Sequence, residues 1–179
     1  MKLTRATGIS NRGLRAMAGI TAGILMSFGI LSATSAGDEV PFPEGFRDWL
    51  LAYSSIVSRD SPSFDELGGM HLIHVNAKGL PTMKGGGPFP YPDGTIFADD
   101  VHHFTVKDGT YREDTKKAVT VMVKDAKKYA MTGGWGFQMW AEGDPSKPLI
   151  PDVAHAVQSC FACHSLQKAQ DYTFSTYKP

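Results

Sequence analysis

The residues best suited to chemistry are Cys160-Phe161-Ala162-Cys163-His164. Two thiols three positions apart, followed directly by a histidine, have the spacing of a c-type haem attachment site. The thiols would join the haem vinyl groups as thioethers, and the His164 imidazole would be the proximal ligand to iron. On a helix over residues 152 to 165, Cys160, Cys163 and His164 stand at i, i+3 and i+4 and share one face. They can then meet one side of a porphyrin. A redox or structural disulfide is the competing use of the pair. The chain contains 2 cysteines, which excludes a zinc site built from four.

An export signal fits this chemistry. Residues 1–36 read as a cleaved secretory signal peptide: a basic start with Lys2, Arg5, Arg12 and Arg15, an apolar run from Ala16 to Leu31, and small residues Ala33-Thr34-Ser35-Ala36 before the cut. The run is short and glycine-rich, which favours cleavage over an uncleaved anchor. Attachment of haem to such motifs takes place outside the bacterial inner membrane, so the expected location is the periplasm. The whole chain has 18 basic and 18 acidic residues. Loss of residues 1–36 removes four basic residues and no acidic one, leaving a mildly acidic protein without a basic stripe for nucleic acid.

Residues 37–179 are long enough for one domain. The spacing of Phe46, Trp49, Leu50 and Tyr53 predicts an opening helix over about 43–54. Strands are predicted near Met70–Ala77, Thr95–Lys107, Lys117–Lys124 and Gly134–Glu142, with a turn at Lys107-Asp108-Gly109-Thr110. Val119, Val121 and Val123 alternate strictly and imply one buried face. The Gly- and Pro-rich segment 79–94 predicts a long internal loop, either a wall of the haem pocket or a surface loop held by prolines. Asp152 after Pro151 is a suitable cap for the helix that carries the cysteines. Tyr172 to Tyr177 looks extended, as an edge strand would be.

A C-terminal haem motif behind three or four strands is an unusual combination among c-type proteins. Pro43-Glu44-Gly45-Phe46-Arg47-Asp48-Trp49, Tyr91-Pro92-Asp93-Gly94-Thr95, Val123-Lys124-Asp125, Gly134-Trp135-Gly136-Phe137, the haem motif, and Asp171-Tyr172-Thr173-Phe174 occur in this order. Together they resemble the cytochrome P-460 family and, more loosely, its relative cytochrome c′-beta. The resemblance covers most of the chain after residue 36. It implies an α+β fold: an antiparallel sheet of about five strands with flanking helices. It further implies one covalent haem c on the C-terminal helix, five-coordinate iron, and usually a homodimer.

One departure bears on activity. Cytochromes P-460 proper cross-link a lysine of the second strand to the haem, and this goes with oxidation of hydroxylamine. In the register of the resemblance that lysine is replaced by Asp99, and a carboxylate of the third strand by Thr120. Asp99 cannot make the cross-link, but a carboxylate there could accept or deliver protons, so it is the candidate catalytic residue. A solvated strand position or a lysine partner is its bland use. A slipped register would offer Lys84 or Lys107 instead. Phe97 would share a strand face with Asp99 and could cap the iron, as phenylalanines do in cytochromes c′-beta, or simply fill the sheet core.

His71 and His74 should point to opposite faces, as should His102 and His103, and each is expected to be a sheet or surface histidine. His155 is expected to be structural or exposed. Met70, Met83, Met122, Met131 and Met139 could ligate iron, but core packing is the commoner use. Three functions remain open: a P-460-like enzyme acting on hydroxylamine or another small nitrogen species, a binder of a diatomic gas such as nitric oxide, and an electron-transfer cytochrome c with six-coordinate haem. A redox-partner cytochrome is a possible partner.

Overall fold

The computed structural model describes residues 40–178. The expected signal peptide, residues 1–36, lies outside them. Five antiparallel strands form one sheet in the order β1-β2-β3-β4-β5. They are β1 (Leu50–Val57), β2 (Gly69–Val75), β3 (Ile96–Lys107), β4 (Thr110–Lys124) and β5 (Trp135–Ala141). The meander follows from sequence: each strand pairs with the next in the chain, and the β3–β4 hairpin closes at Asp108-Gly109, both at positive φ. With the short helices, the first of them α1 (Phe64–Leu67) between β1 and β2, this is the expected α+β architecture.

The sheet separates two cores. On the front face Ala52, Val75, Phe97, Trp135 and Phe137 cluster, and Cys160 and Phe161 pack against them. On the back face Ala98, Val119, Val121 and Trp140 meet Val40 and Phe46 from the segment before β1. The alternation of β3 thus sends Phe97, Asp99 and Val101 forward and Ala98, Asp100 and His102 backward. Asp100 is buried there among cations. Arg47 reaches it through Nη2 and through Nε at 2.7 Å, and Lys116 Nζ lies 2.7 Å away.

The opening helix does not form. Phe46–Asp48 make a single 3₁₀ turn, and Leu50–Val57 are the first strand. Gly45 sits in the left-handed region at φ 68°, which precludes a helix running through it. Beyond it, Tyr53, Ile56 and Val57 favour extended backbone, and β2 supplies the ladder from Leu50↔Val75 to Val57↔Gly69. The helical spacing was a coincidence: Phe46 belongs to the back core, Tyr53 to the front, and Leu50 is exposed.

At the other end, Tyr172–Tyr177 form no strand. Asp171 (φ 48°) and Tyr172 (φ 66°) are both left-handed, and this double bend turns the chain away from the sheet. The edge at β5 is instead covered by residues 147–149, where Ala141 N donates to Lys147 O and Leu149 N to Met139 O. The loop 79–94 contains a short helix, α2 (Leu80–Gly85), with Pro81 in its first turn where a missing N–H costs nothing. Met83 and Tyr91 are buried in the front core, so this segment walls the face that carries the cysteines.

Candidate functional site

The C-terminal helix starts where expected. Asp152 caps it, its carboxylate accepting from His155 N at 2.9 Å, and α3 spans Val153–Ala156. It then departs from the regular helix expected over 152–165. Val157–Phe161 are a π-helical turn, closed by Ala162 N donating to Val157 O, before α4 (Ala162–His164) resumes. Such turns are rare and are frequently found at functional sites. Here the turn takes in Cys160 and Phe161, the first two residues of the attachment motif.

His164 is held from the side. Its Nδ1 lies 2.7 Å from Tyr172 O. A carbonyl only accepts, so Nδ1 carries the proton and Nε2 keeps an unshared pair. Burial holds the imidazole pKa below its usual value, against the smaller opposing effect of that hydrogen bond. A neutral ring with Nδ1–H tied to a carbonyl is the arrangement found for imidazoles that ligate metals. Cys160 and Cys163 are both free thiols, and burial pushes the Cys160 thiol up. Two reduced sulfurs beside an imidazole oriented through Nδ1 fit a haem tethered at Cys160 and Cys163, with His164 Nε2 toward iron. When bound, such a haem supplies an iron centre that can take a small ligand or exchange one electron.

The carbonyl that orients His164 is itself clamped. Asp171, one residue earlier, receives Lys124 Nζ at 2.7 Å and Tyr91 N at 2.8 Å, and both charged side chains are buried. Its own carbonyl accepts from Trp135 Nε1 at 2.9 Å. Lys124 also donates to Gly133 O at 3.1 Å and lies over the Trp135 ring. The residues Lys124, Trp135 and Asp171 therefore fix the left-handed bend from which Tyr172 reaches His164. Sequence reasoning attached no role to this clamp, although a lysine ending a valine-rich strand was its one visible sign.

Phe97 and Asp99 both lie on the front face with the cysteines. Phe97 is buried, its ring 5.2 Å from Tyr91 and 5.9 Å from Trp135, which makes it a core residue of the wall. Across the sheet Phe97 is level with Met122, and Met122 with Phe137, whose ring is 5.1 Å from His164. The adjoining row is Ile73, Asp99, Thr120 and Met139. Asp99 pairs with a residue that sequence reasoning set aside: its Oδ2 is 2.7 Å from His71 Nδ1.

The remaining candidates are accounted for elsewhere. His74 faces backward, with Nδ1 at 3.4 Å from Trp49 O and its ring against Phe46. His102 joins the Asp100 cluster, His103 is exposed, and His155 pairs with Asp152. Lys84 is exposed and lies over Tyr177, and Lys107 is exposed beside the hairpin turn. Met122 and Met139 are on the front face, Met83 is buried in α2, and Met131 is exposed.

Comparison with known proteins decides the family. The model of the family described as Cytochrome P460 matches residues 43–175. The chain belongs to the cytochrome P460 family. It is thus a c-type cytochrome of the P460 kind, and its family implies a haem c cofactor. The matched span takes in the whole sheet of this P460 chain, the capped C-terminal helix and the double bend at Asp171 and Tyr172. No curated protein matches the chain.

Proposed function

We propose that this P460 cytochrome is exported to the periplasm, carries one haem c on Cys160 and Cys163 with His164 as proximal ligand, and leaves the opposite iron position open to a small nitrogen species. The carrying observation is His164 itself, a half-buried neutral imidazole whose Nδ1–H is held by Tyr172 O, which leaves Nε2 with its unshared pair. Export is supported by the basic, apolar and small-residue order of residues 1–36.

The chain's own residues divide the work. The clamp at Asp171 fixes the ring plane of His164. Phe97, Tyr91 and Trp135 wall the front face and exclude water from it. Asp99, the candidate acid–base group, stands on that face without the lysine that would allow a cross-link. This favours reversible binding, nitric oxide being one guest, or slow turnover of hydroxylamine. An electron carrier would need a second side chain on iron. His71 is poorly placed for that, since both its ring nitrogens are engaged, at Asp99 and at Leu67 O. The proposed partners are the nitrogenous guest, a redox-partner cytochrome, and a second copy of this chain. The exposed apolar residues Leu50, Leu51 and Ile56 on edge strand β1 support the last.

The test is the electronic spectrum of the reduced holoprotein, with and without nitric oxide. A five-coordinate high-spin spectrum that changes on adding nitric oxide agrees with the proposal. A low-spin ferrous spectrum with sharp alpha and beta bands, unmoved by the gas, makes the protein an electron carrier.

A further inference from the structure

The His71–Asp99 pair has a definite hydrogen-bond polarity. His71 Nε2 lies 2.8 Å from Leu67 O, so Nε2 must carry a proton. One further proton sits between Nδ1 and Asp99 Oδ2, 2.7 Å apart. If it rests on the imidazole, Asp99 is a carboxylate. If it rests on Oδ2, Asp99 is a neutral acid whose Oδ1 is the carbonyl oxygen. In both placements Oδ1 is an acceptor. Yet Oδ1 is buried and has no hydrogen-bond partner among the described residues. A buried acceptor left unfilled is costly and rare, and calls for an explanation.

Its position supplies one. Asp99 belongs to the row next to Phe97, Met122 and Phe137, on the face against which Cys160 packs. We infer that Asp99 Oδ1, with His71 holding Oδ2, is a guest-selecting acceptor: it favours a small guest that brings an N–H or O–H over one, such as nitric oxide, that brings none. This rests on the haem assignment above and deepens it. His71 is the positioning residue, and it was not among the site residues expected from sequence.

The surroundings keep the pair in this state. Burial alone would lower the His71 pKa, but the hydrogen bond and charge of Asp99 outweigh it, with help from Leu67 O, and leave it raised. Lys117 on β4, whose Nζ donates to Gly68 O at 2.7 Å, opposes the imidazolium only weakly. Tyr53 on β1 is level with Ile73 in the same row as Asp99.

The test compares two probes, hydroxylamine and nitric oxide, titrated into ferric holoprotein without oxygen and followed at the Soret band. In Asp99→Leu the acceptor is gone, so hydroxylamine should bind on the order of 10- to 100-fold more weakly, with nitric oxide moved less than about 2-fold. In Asp99→Asn the amide can donate to His71 Nδ1 and keep its oxygen where Oδ1 was. Both affinities should then stay within about 3-fold of the parent. Equal changes for both probes in Asp99→Leu, no change for either, or an Asn variant that behaves like Leu would overturn the inference. Should Asp99→Leu not fold, difference infrared spectra of the unmodified protein decide. A carboxyl band that shifts with hydroxylamine but not nitric oxide, and is missing in Asp99→Asn, supports the inference, and a band indifferent to both sinks it. A protein without covalent haem fails the haem assignment first, whereas a loaded protein that binds both probes without discrimination fails this inference alone.

Discussion

Replacing Lys124 by Met should be among the most damaging single changes outside the haem motif. The side chains of Lys124 and Asp171 are 3% and 6% exposed and their charged atoms are 2.7 Å apart. Methionine fills the space of the lysine stem but removes the ammonium, leaving the Asp171 carboxylate buried with Tyr91 N as its remaining donor. Removing one partner of a buried pair costs about 3–5 kcal/mol, because the other charge is stranded. That is a large share of a typical stability of about 5–15 kcal/mol. Adding Asp171→Asn removes the stranded charge and keeps an acceptor for Tyr91 N, so the double variant should recover about 2 kcal/mol. Guanidinium unfolding of the holoproteins at unchanged slope measures both. The clamp also has a local readout: as the Asp171 bend loosens, Tyr172 O should hold His164 Nδ1 less firmly, and the iron–histidine stretch of the reduced protein should fall. A loss below about 1 kcal/mol in Lys124→Met would put the pair in the class of surface ion pairs. A double variant no better than the single would show that stranded charge is not the cause.

Gly133→Ala should cost about 1–3 kcal/mol and shift the haem spectrum, since its Cβ would meet the Tyr172 ring at 2.3 Å and its φ is +66°; an unchanged midpoint and spectrum would show that Tyr172 yields freely. Burial raises the Asp100 pKa, but hydrogen bonds from Lys116 and Arg47 more than reverse this, so it lies below 3.8. The stability it contributes is present above that value and lost as pH falls further, and Asp100→Asn should flatten the acid limb of a plot of unfolding midpoint against pH. His71 has the opposite sign. Its raised pKa gives stability that is full below 6.5 and lost as pH rises through the folded value, so His71→Gln should flatten the fall of the midpoint as pH rises above 6.5.

Sequence and structure agree where the physics is local. Val119 and Val121 are buried on one face as their alternation requires, Gly109 closes the hairpin, and Asp152 caps the haem-bearing helix. The five-strand count was also legible, but with the wrong fifth strand. The stripe Phe46, Trp49, Leu50, Tyr53 satisfies helical spacing, and only the left-handed Gly45 and the pairing with β2 reveal the strand. The site shows the same limit. The Cys-x-x-Cys-His run announces itself, whereas the partners of its surroundings are fixed by register. His71 is level with Val101, and Asp99 with Ile73, so the pair meets diagonally across strands, a relation absent from either local pattern. Lys124 and Asp171, 47 positions apart, meet only because the chain bends back at two left-handed residues in succession.

The most direct test of the central claim is intact-mass measurement on the exported, denatured protein, beside Cys160→Ala with Cys163→Ala. The parent should carry the added mass of one haem that survives denaturation and acid extraction and gives a c-type pyridine spectrum, and the double variant should carry none. A parent of unmodified polypeptide mass, or a double variant that keeps covalent haem, would contradict the assignment on which the site, its open iron position and its guest selection all depend.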